Sequence, residues 1–195
     1  MLTLGQLQSG QTVLIQAAAG GLGTIMVQIA RNLGATAIGT CGSEEKCTLL
    51  REIGCPHPIN YATTDFQKAV QQITGGRNCD LVIESVGGAV FDKSLRCVKT
   101  RGRLIVLGVA SGRPRRVSVL DLFPNNLTVS GFHLMGYAND FVAMAGAVRD
   151  LHQWLDAGKL TIVVKHVFPL ERAAEAQQLI AQRKTSGKVV LTTSG

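Results

Sequence analysis

The sequence predicts an α/β fold: a doubly wound parallel sheet with a short C-terminal β-α-β appendage. Three observations lead there. Apolar runs alternate with helical patterns along most of the 195 residues. The runs are continuous, as expected of strands covered by helices on both faces, and do not alternate between apolar and polar positions. Finally, a chain of this length with 46% hydrophobic residues can bury a full core.

Taken in order, "TVLIQAA" reads as the first strand and Gly23 to Leu33 as the helix after it. "ATAIGTC" leads to a helix over Glu44 to Ile53, and "HPIN" to one around Asp65 to Ile73. "CDLVIESVG" leads to a helix over Val90 to Val98, and "GRLIVLGVA" to a loop. Gly34, Gly54 and Gly102 fall just after helices, where a left-handed cap favours a residue without Cβ. "LTVSGFHL", Leu127 to Leu134, predicts one more strand, and Asp140 to Leu155 a long helix with "AGAV" on a closely packed face. Past Gly158 the pattern becomes strand, helix, strand over "KLTIVVKHVFPL", "ERAAEAQQLIAQRK" and "GKVVLTT". Residues 1–158 are thus expected to form the main domain. Residues 159–195 are too few to fold alone and must pack on it or complete something absent.

The formal charge is +7, with Lys and Arg scattered except in "GRPRR", Gly112 to Arg116. That suits anionic ligands, but aromatics make up only 5% and are not interleaved with the basic residues, so no nucleic acid is expected. Five cysteines, at 41, 47, 55, 79 and 97, contain no C-x-x-C pair, which disfavours a disulfide framework and a compact zinc site. No metal is expected, and a reducing cytoplasm fits best. "MLTLGQLQSG" has no signal-peptide character and no stretch is long enough to span a bilayer, so a soluble protein is expected.

The first strand runs into Ala18-Ala19-Gly20-Gly21-Leu22-Gly23 and then a helix. Gly20 lets the backbone approach a pyrophosphate, and Gly23 lets the helix pack close to the strand. The helix N-terminus adds N–H donors and the positive end of a dipole. The loop departs from G-x-G-x-x-G in having Ala18 first. Any tight strand-to-helix turn can give the same string, but the flanks and the repeated strand and helix units favour a Rossmann-type phosphate site. At the end of the second strand, Thr40 to Lys46, no acid stands directly at the strand end to hold a ribose 2′-hydroxyl. A 2′-phosphate has room there, with Ser43 to hydrogen-bond it and Lys46 to neutralise it, so NADPH is expected over NADH. Ser43 also reads as the cap of the next helix, Lys46 as a solvated cation and Glu44 as a ribose ligand. The same missing acid counts against S-adenosylmethionine.

In order and spacing, "AAAGGLG", "IGTCGSEEK", "INY", "DLVIESVGG", "GRLIVLGVASG" and "RKTSGKVVLT" resemble the quinone oxidoreductase branch of the medium-chain dehydrogenase/reductase superfamily, over essentially the whole chain. The resemblance implies that Gly20, Gly21 and Leu22 form the pyrophosphate turn. Ser43, Lys46 and Tyr61 would hold the 2′-phosphate and adenosine side. Ser85, Val86 and Gly87 would be the cofactor-facing edge of the fourth strand, with Gly108, Val109, Phe132 and His133 beside the nicotinamide. Tyr61 reads otherwise as cover for the strand edge, and His133 as a structural histidine.

Members of that branch carry an N-terminal barrel-like domain forming the other wall of the active site, so this chain is expected to be the nucleotide-binding portion of a longer reductase. The activity implied is zinc-independent hydride delivery to a small quinone or conjugated enone, the cofactor supplying the hydride. No catalytic residue is assigned. Two alternatives stand beside it: an enoyl reductase domain of a polyketide synthase, weakened because "VASGRPRRVS" carries no Lys or Asp, and a non-catalytic NADPH-binding module. A homodimer through the edge strand 127–134 is also implied.

Overall fold

The computed structural model describes residues 1–193. Strands β1 (Thr12–Ile15), β2 (Thr36–Cys41) and β3 (His57–Asn60) alternate with helices α1 (Gly23–Asn32), α2 (Glu44–Glu52) and α3 (Phe66–Ile73). β4 (Cys79–Glu84), α4 (Gly88–Arg96) and β5 (Val98–Val106) follow, then a short α5 (Val119–Leu122), β6 (Thr128–Gly131) and the long α6 (Phe141–Asp156). The chain closes with β7 (Val164–Pro169), α7 (Ala173–Ala181) and β8 (Lys188–Thr192).

Six strands form one sheet in the order β3-β2-β1-β4-β5-β6, every pair parallel. The strand order reverses between β1 and β4, the switch point at which open parallel sheets bind ligands beyond their carboxyl ends. The continuous apolar runs find their reason here. Val13 and Ile15 of β1 pack with Val27, Leu50 and Ile83 on one face. Leu14 packs with Val70, Val82, Phe91 and Leu104 on the other. Each such side chain, fully buried, contributes roughly 1.5–3 kcal/mol.

Caps fix the helix starts. Ser43 accepts from the Lys46 N–H at 3.3 Å, Asp65 accepts from Gln67 and Lys68, and Asp140 accepts from Ala143. Gly34 and Gly54 take the left-handed conformation expected of helix caps, with φ of 72° and 94°. Gly102 does not: it lies inside β5, and the left-handed residue beside it is Arg101 at φ 62°. The strand expected over 127–134 is shorter, β6 ending at Gly131, and a 3-10 turn occupies Leu134–Tyr137. α6 carries no buried residue. The close packing expected at its "AGAV" face is therefore absent among the described residues, where a Cβ added to Gly146 would meet only an arginine terminus at 3.9 Å.

The two-stranded parallel sheet of β7 and β8 is separate from the main sheet but tied to its first crossover. The Gln28 side chain donates to the Thr161 carbonyl at 3.0 Å and accepts the Thr161 N–H at 2.8 Å. Arg31 and Asn32 donate to the Lys159 carbonyl. The Gly187 N–H donates to the Ala19 carbonyl at 2.8 Å, so the returning chain lies directly against the glycine turn.

Candidate functional site

A cleft of about 580 Å³ opens at the carboxyl ends of β1, β2 and β4. Its walls come from the glycine turn at Ala19 and Gly20, from Thr40 and Lys46, from Tyr61 to Phe66, from Val86 and Ala110, and from Arg183 and Thr185. Of the residues expected from the sequence, Gly20, Lys46, Tyr61 and Val86 meet on this surface.

The others stand around it. Gly23 lies where the helix presses on the turn, and a Cβ there would come within 2.5 Å of the Ala18 carbonyl oxygen. Gly21 is covered by the returning chain, a Cβ meeting Lys188 at 2.8 Å, and Leu22 is exposed at the start of α1. Ser43 caps α2. Ser85 and Gly87 shape the β4–α4 turn, where the Ser85 carbonyl accepts from Ala110 and Gly87 has φ 78°. A Cβ on Gly87 would meet Val109 at 2.7 Å, which locks this turn to the loop holding Gly108 and Val109. The Phe132 N–H continues the ladder to Val106, and its ring packs against Tyr137 with centroids 5.6 Å apart. Phe132 and His133 are exposed and do not line the cleft.

Several wall and floor residues carry no local motif and escape sequence inspection. Beneath the glycine turn, the Thr40 hydroxyl donates to Gln16 Oε1 at 2.6 Å, and Gln16 Nε2 donates to Ser94 Oγ at 3.0 Å. All three are buried. They join β1, β2 and α4 below the cleft, and a satisfied buried network of this kind holds its elements in one arrangement. The polar Gln16 and Thr40 inside apolar strands were the available signal. Glu84, 0% exposed, accepts N–H bonds from Val86 at 2.8 Å and Gly87 at 3.0 Å. Burial pushes its pKa up, and those two donors pull it back. At the other end, Lys46 Nζ donates to the Arg183 carbonyl at 2.7 Å, a contact across 137 positions. Lys93 pairs with Asp65 at 2.7 Å on the third wall, with its ammonium 5.9 Å from the Phe66 ring centre. Glycine backbone on one side and Lys46 and Arg183 on another suit an extended ligand with phosphate groups.

The profile of the family described as "Zinc-binding dehydrogenase" matches residues 21–150. Among curated proteins, a 2-haloacrylate reductase from Burkholderia sp. is 39% identical over 188 residues, which make up 95% of this chain and 56% of that protein. Quinone oxidoreductase-like protein 2 of Bos taurus is 33% identical over 187 residues, 95% of this chain and 54% of its own length. Among solved structures, that of Escherichia coli quinone oxidoreductase complexed with NADPH superposes with a TM-score of 0.89 at 31% identity, covering 95% of this chain and 58% of that one. The chain spans a little over half the length of the curated relatives it matches.

The donors present do not fit the zinc in the family's description. Among the described residues no three His, Cys, Asp or Glu side chains converge. Cys41 and Cys47 approach with sulfurs 3.0 Å apart, but both are buried, and burial together with the Cys47 contact pushes the Cys41 thiol up to about 12. Zinc takes thiolates, and burial keeps the Cys41 thiol protonated. The family profile, the parallel sheet with its switch point and the glycine turn agree: the chain belongs to the zinc-binding dehydrogenase family, in the quinone oxidoreductase-like branch of the medium-chain dehydrogenases/reductases.

Proposed function

We propose that this chain is the NADPH-binding portion of a zinc-independent oxidoreductase that delivers hydride to a quinone or a conjugated enone. The observation that carries it is the cleft itself, with glycine backbone at Gly20 and a cationic end at Lys46 and Arg183 where no carboxylate terminates β2. Gly20 fits a pyrophosphate, because a side chain there would begin to fill the wall the ligand needs. Lys46 and the Ser43 hydroxyl fit a 2′-phosphate, and Tyr61 and Phe66 offer faces for the adenosine. Bound NADPH would supply the hydride. The protein orients it: the Glu84-braced turn fixes Val86, and the Gln16–Thr40–Ser94 chain fixes the floor. Gly21, Leu22, Gly23, Ser85, Gly87, Gly108, Val109, Phe132 and His133 belong to this proposal as framing or second-wall residues. The similarity to a 2-haloacrylate reductase and to quinone oxidoreductases supports an acceptor with an activated double bond or carbonyl.

We also propose a homodimer through β6, which among the described residues pairs only with β5, leaving its other edge open beside the exposed Leu134 and Met135. Light scattering tests it, and a monomer at high concentration overturns it. Five free cysteines accord with a reducing, cytoplasmic setting.

The deciding experiment titrates NADPH and NADH into the wild type and Lys46→Ala. A lost charge-assisted phosphate contact should weaken NADPH about ten- to a hundredfold and leave NADH nearly unchanged. Equal binding of both nucleotides by the wild type overturns the 2′-phosphate assignment.

A further inference from the structure

A second cavity, of about 550 Å³, lies at the opposite end of the sheet from the glycine turn. Asn78 precedes β4, Val98 begins β5 and Leu127 precedes β6, so this cavity sits at the amino ends of those strands. Among the described residues it shares no lining residue with the cleft, and α4 divides the two. Ala89, Val90 and Lys93 line the cleft, whereas Asp92, Leu95 and Arg96 line the cavity. The basic motif at Gly112 to Arg116, for which the cofactor site has no role, contributes Arg115 and Arg116.

Five cations meet here, Arg77, Arg96, Lys99, Arg115 and Arg116, against two carboxylates, Asp92 and Asp121. The nearby acids are already engaged. Asp92 holds Arg115 through two hydrogen bonds, at 3.0 and 2.6 Å, Asp80 pairs with Lys99, and Asp121 accepts the Ser118 N–H at 3.0 Å. Among the described residues no acid pairs with Arg77, Arg96 or Arg116. Nor does the end of α4 need Arg96 as a cap. The Ser94 carbonyl accepts from the Cys97 N–H at 3.0 Å, the Arg96 carbonyl from Asn78 Nδ2 at 3.1 Å, and the Cys97 carbonyl from the Cys79 N–H at 2.8 Å. Arg77 donates only its Nε, to the Thr74 carbonyl at 3.2 Å, and keeps the fork of its terminal N–H groups. Phe91, Leu95 and Val98 are buried beneath, an apolar floor that strengthens the attraction for an opposite charge held above it.

We propose that this cavity is a second anion site, separate from the cofactor cleft, that takes a small phosphorylated molecule on Arg77, Arg96 and Arg116. A phosphate offers several acceptor oxygens to planar guanidinium forks, and its charge balances cations that the chain leaves without partners. The volume lies in the range of small-molecule sites. The lining offers no exposed aromatic ring on which a single-stranded nucleic acid could stack, since its one aromatic residue, Phe91, is buried.

The test titrates pyrophosphate into the ¹⁵N-labelled chain and reads amide shifts in the wild type, in Arg96→Gln/Arg116→Gln and in Lys46→Ala. The wild type should show saturable shifts at Asn78, Thr100 and Asn125. Arg96 and Arg116 are exposed, so the double variant should keep the wild-type unfolding midpoint. It should bind at least about tenfold more weakly at those amides, the loss expected on removing charge-assisted contacts. Lys46→Ala should leave the same shifts within about twofold, so the outcome does not depend on the NADPH reading. Shifts confined to the amides around Gly20 and Lys46 overturn the proposal, as does a folded double variant that binds like the wild type. If the double variant does not fold, the positions of the wild-type shifts decide. A glutamate-rich peptide that displaces pyrophosphate and binds more tightly assigns the cavity to an acidic protein partner and overturns the small-molecule reading; failure to displace it supports the proposal.

Discussion

The chain up to Val109 and the chain after it both carry many large apolar side chains, yet they place them oppositely. Among the described residues, only Leu160, Phe168 and Ala176 of the buried apolar residues come from the later stretch. There Val119, Leu120, Phe123, Phe141 and Val142 are each at least 64% exposed. An apolar residue becomes core only where two layers meet, and β1 to β5 meet helices on both faces, while α6, which touches the 3-10 turn at Leu134–Tyr137, has no buried residue among the described residues. Hydrophobicity alone thus does not distinguish an interior from a docking face, and a contiguous exposed apolar surface reads as the latter.

Substitutions can break or sharpen that contrast. Leu104→Ala, at a fully buried site, should cost about 2–5 kcal/mol in urea unfolding, and a cost below about 1 kcal/mol would dissolve the distinction. All five thiols lie in the front stretch, and burial pushes Cys97 up to about 12 and Cys55 up to about 11 from an ordinary 9.0. The folded thiols hold their protons more tightly than the unfolded ones. Their stabilisation is therefore whole below pH 9 and is lost as pH rises through 11 to 12, by a few kcal/mol in total on an order-of-magnitude basis. Urea midpoints across that range, and slow thiol alkylation of the native protein at neutral pH, check it. Gly23→Ala drives a methyl into the Ala18 carbonyl and should cost about 1–3 kcal/mol by thermal unfolding. Gln28→Ala, which unties the later stretch from α1, should cost about 1–2 kcal/mol and speed hydrogen exchange at the Thr161 amide. Phe141→Ala should change stability by no more than about 0.5 kcal/mol, and a larger loss would mean that α6 is packed in solution.

The same contrast governs what the sequence reveals. β1 to β5 and α1 to α4 are legible because each strand's apolar run and each helix's periodicity answer to covering layers on the same short unit. The later elements are less so. β6 loses Phe132 and His133 because only one neighbour supports it, and α5 is a single capped turn in a loop. Gly102 misleads because the left-handed residue is its neighbour Arg101. At the cleft, Gly20 and Lys46 are legible from local motifs, and Tyr61 and Val86 only from the family resemblance. Arg183, Thr185 and the Gln16–Thr40–Ser94 chain are not, since they arrive from distant positions and their partners exist only once the sheet has formed.

The Gln28 side chain meets Thr161 as a neighbouring strand would, one N–H given and one taken. It is a surrogate peptide group, and only an amide can play that part. Deamidation at this single position would turn its donor into a second lone pair facing the Thr161 carbonyl, replacing an attraction by a repulsion. The seam between the sheet and the returning chain is thus sensitive to chemical ageing, through one side chain on α1.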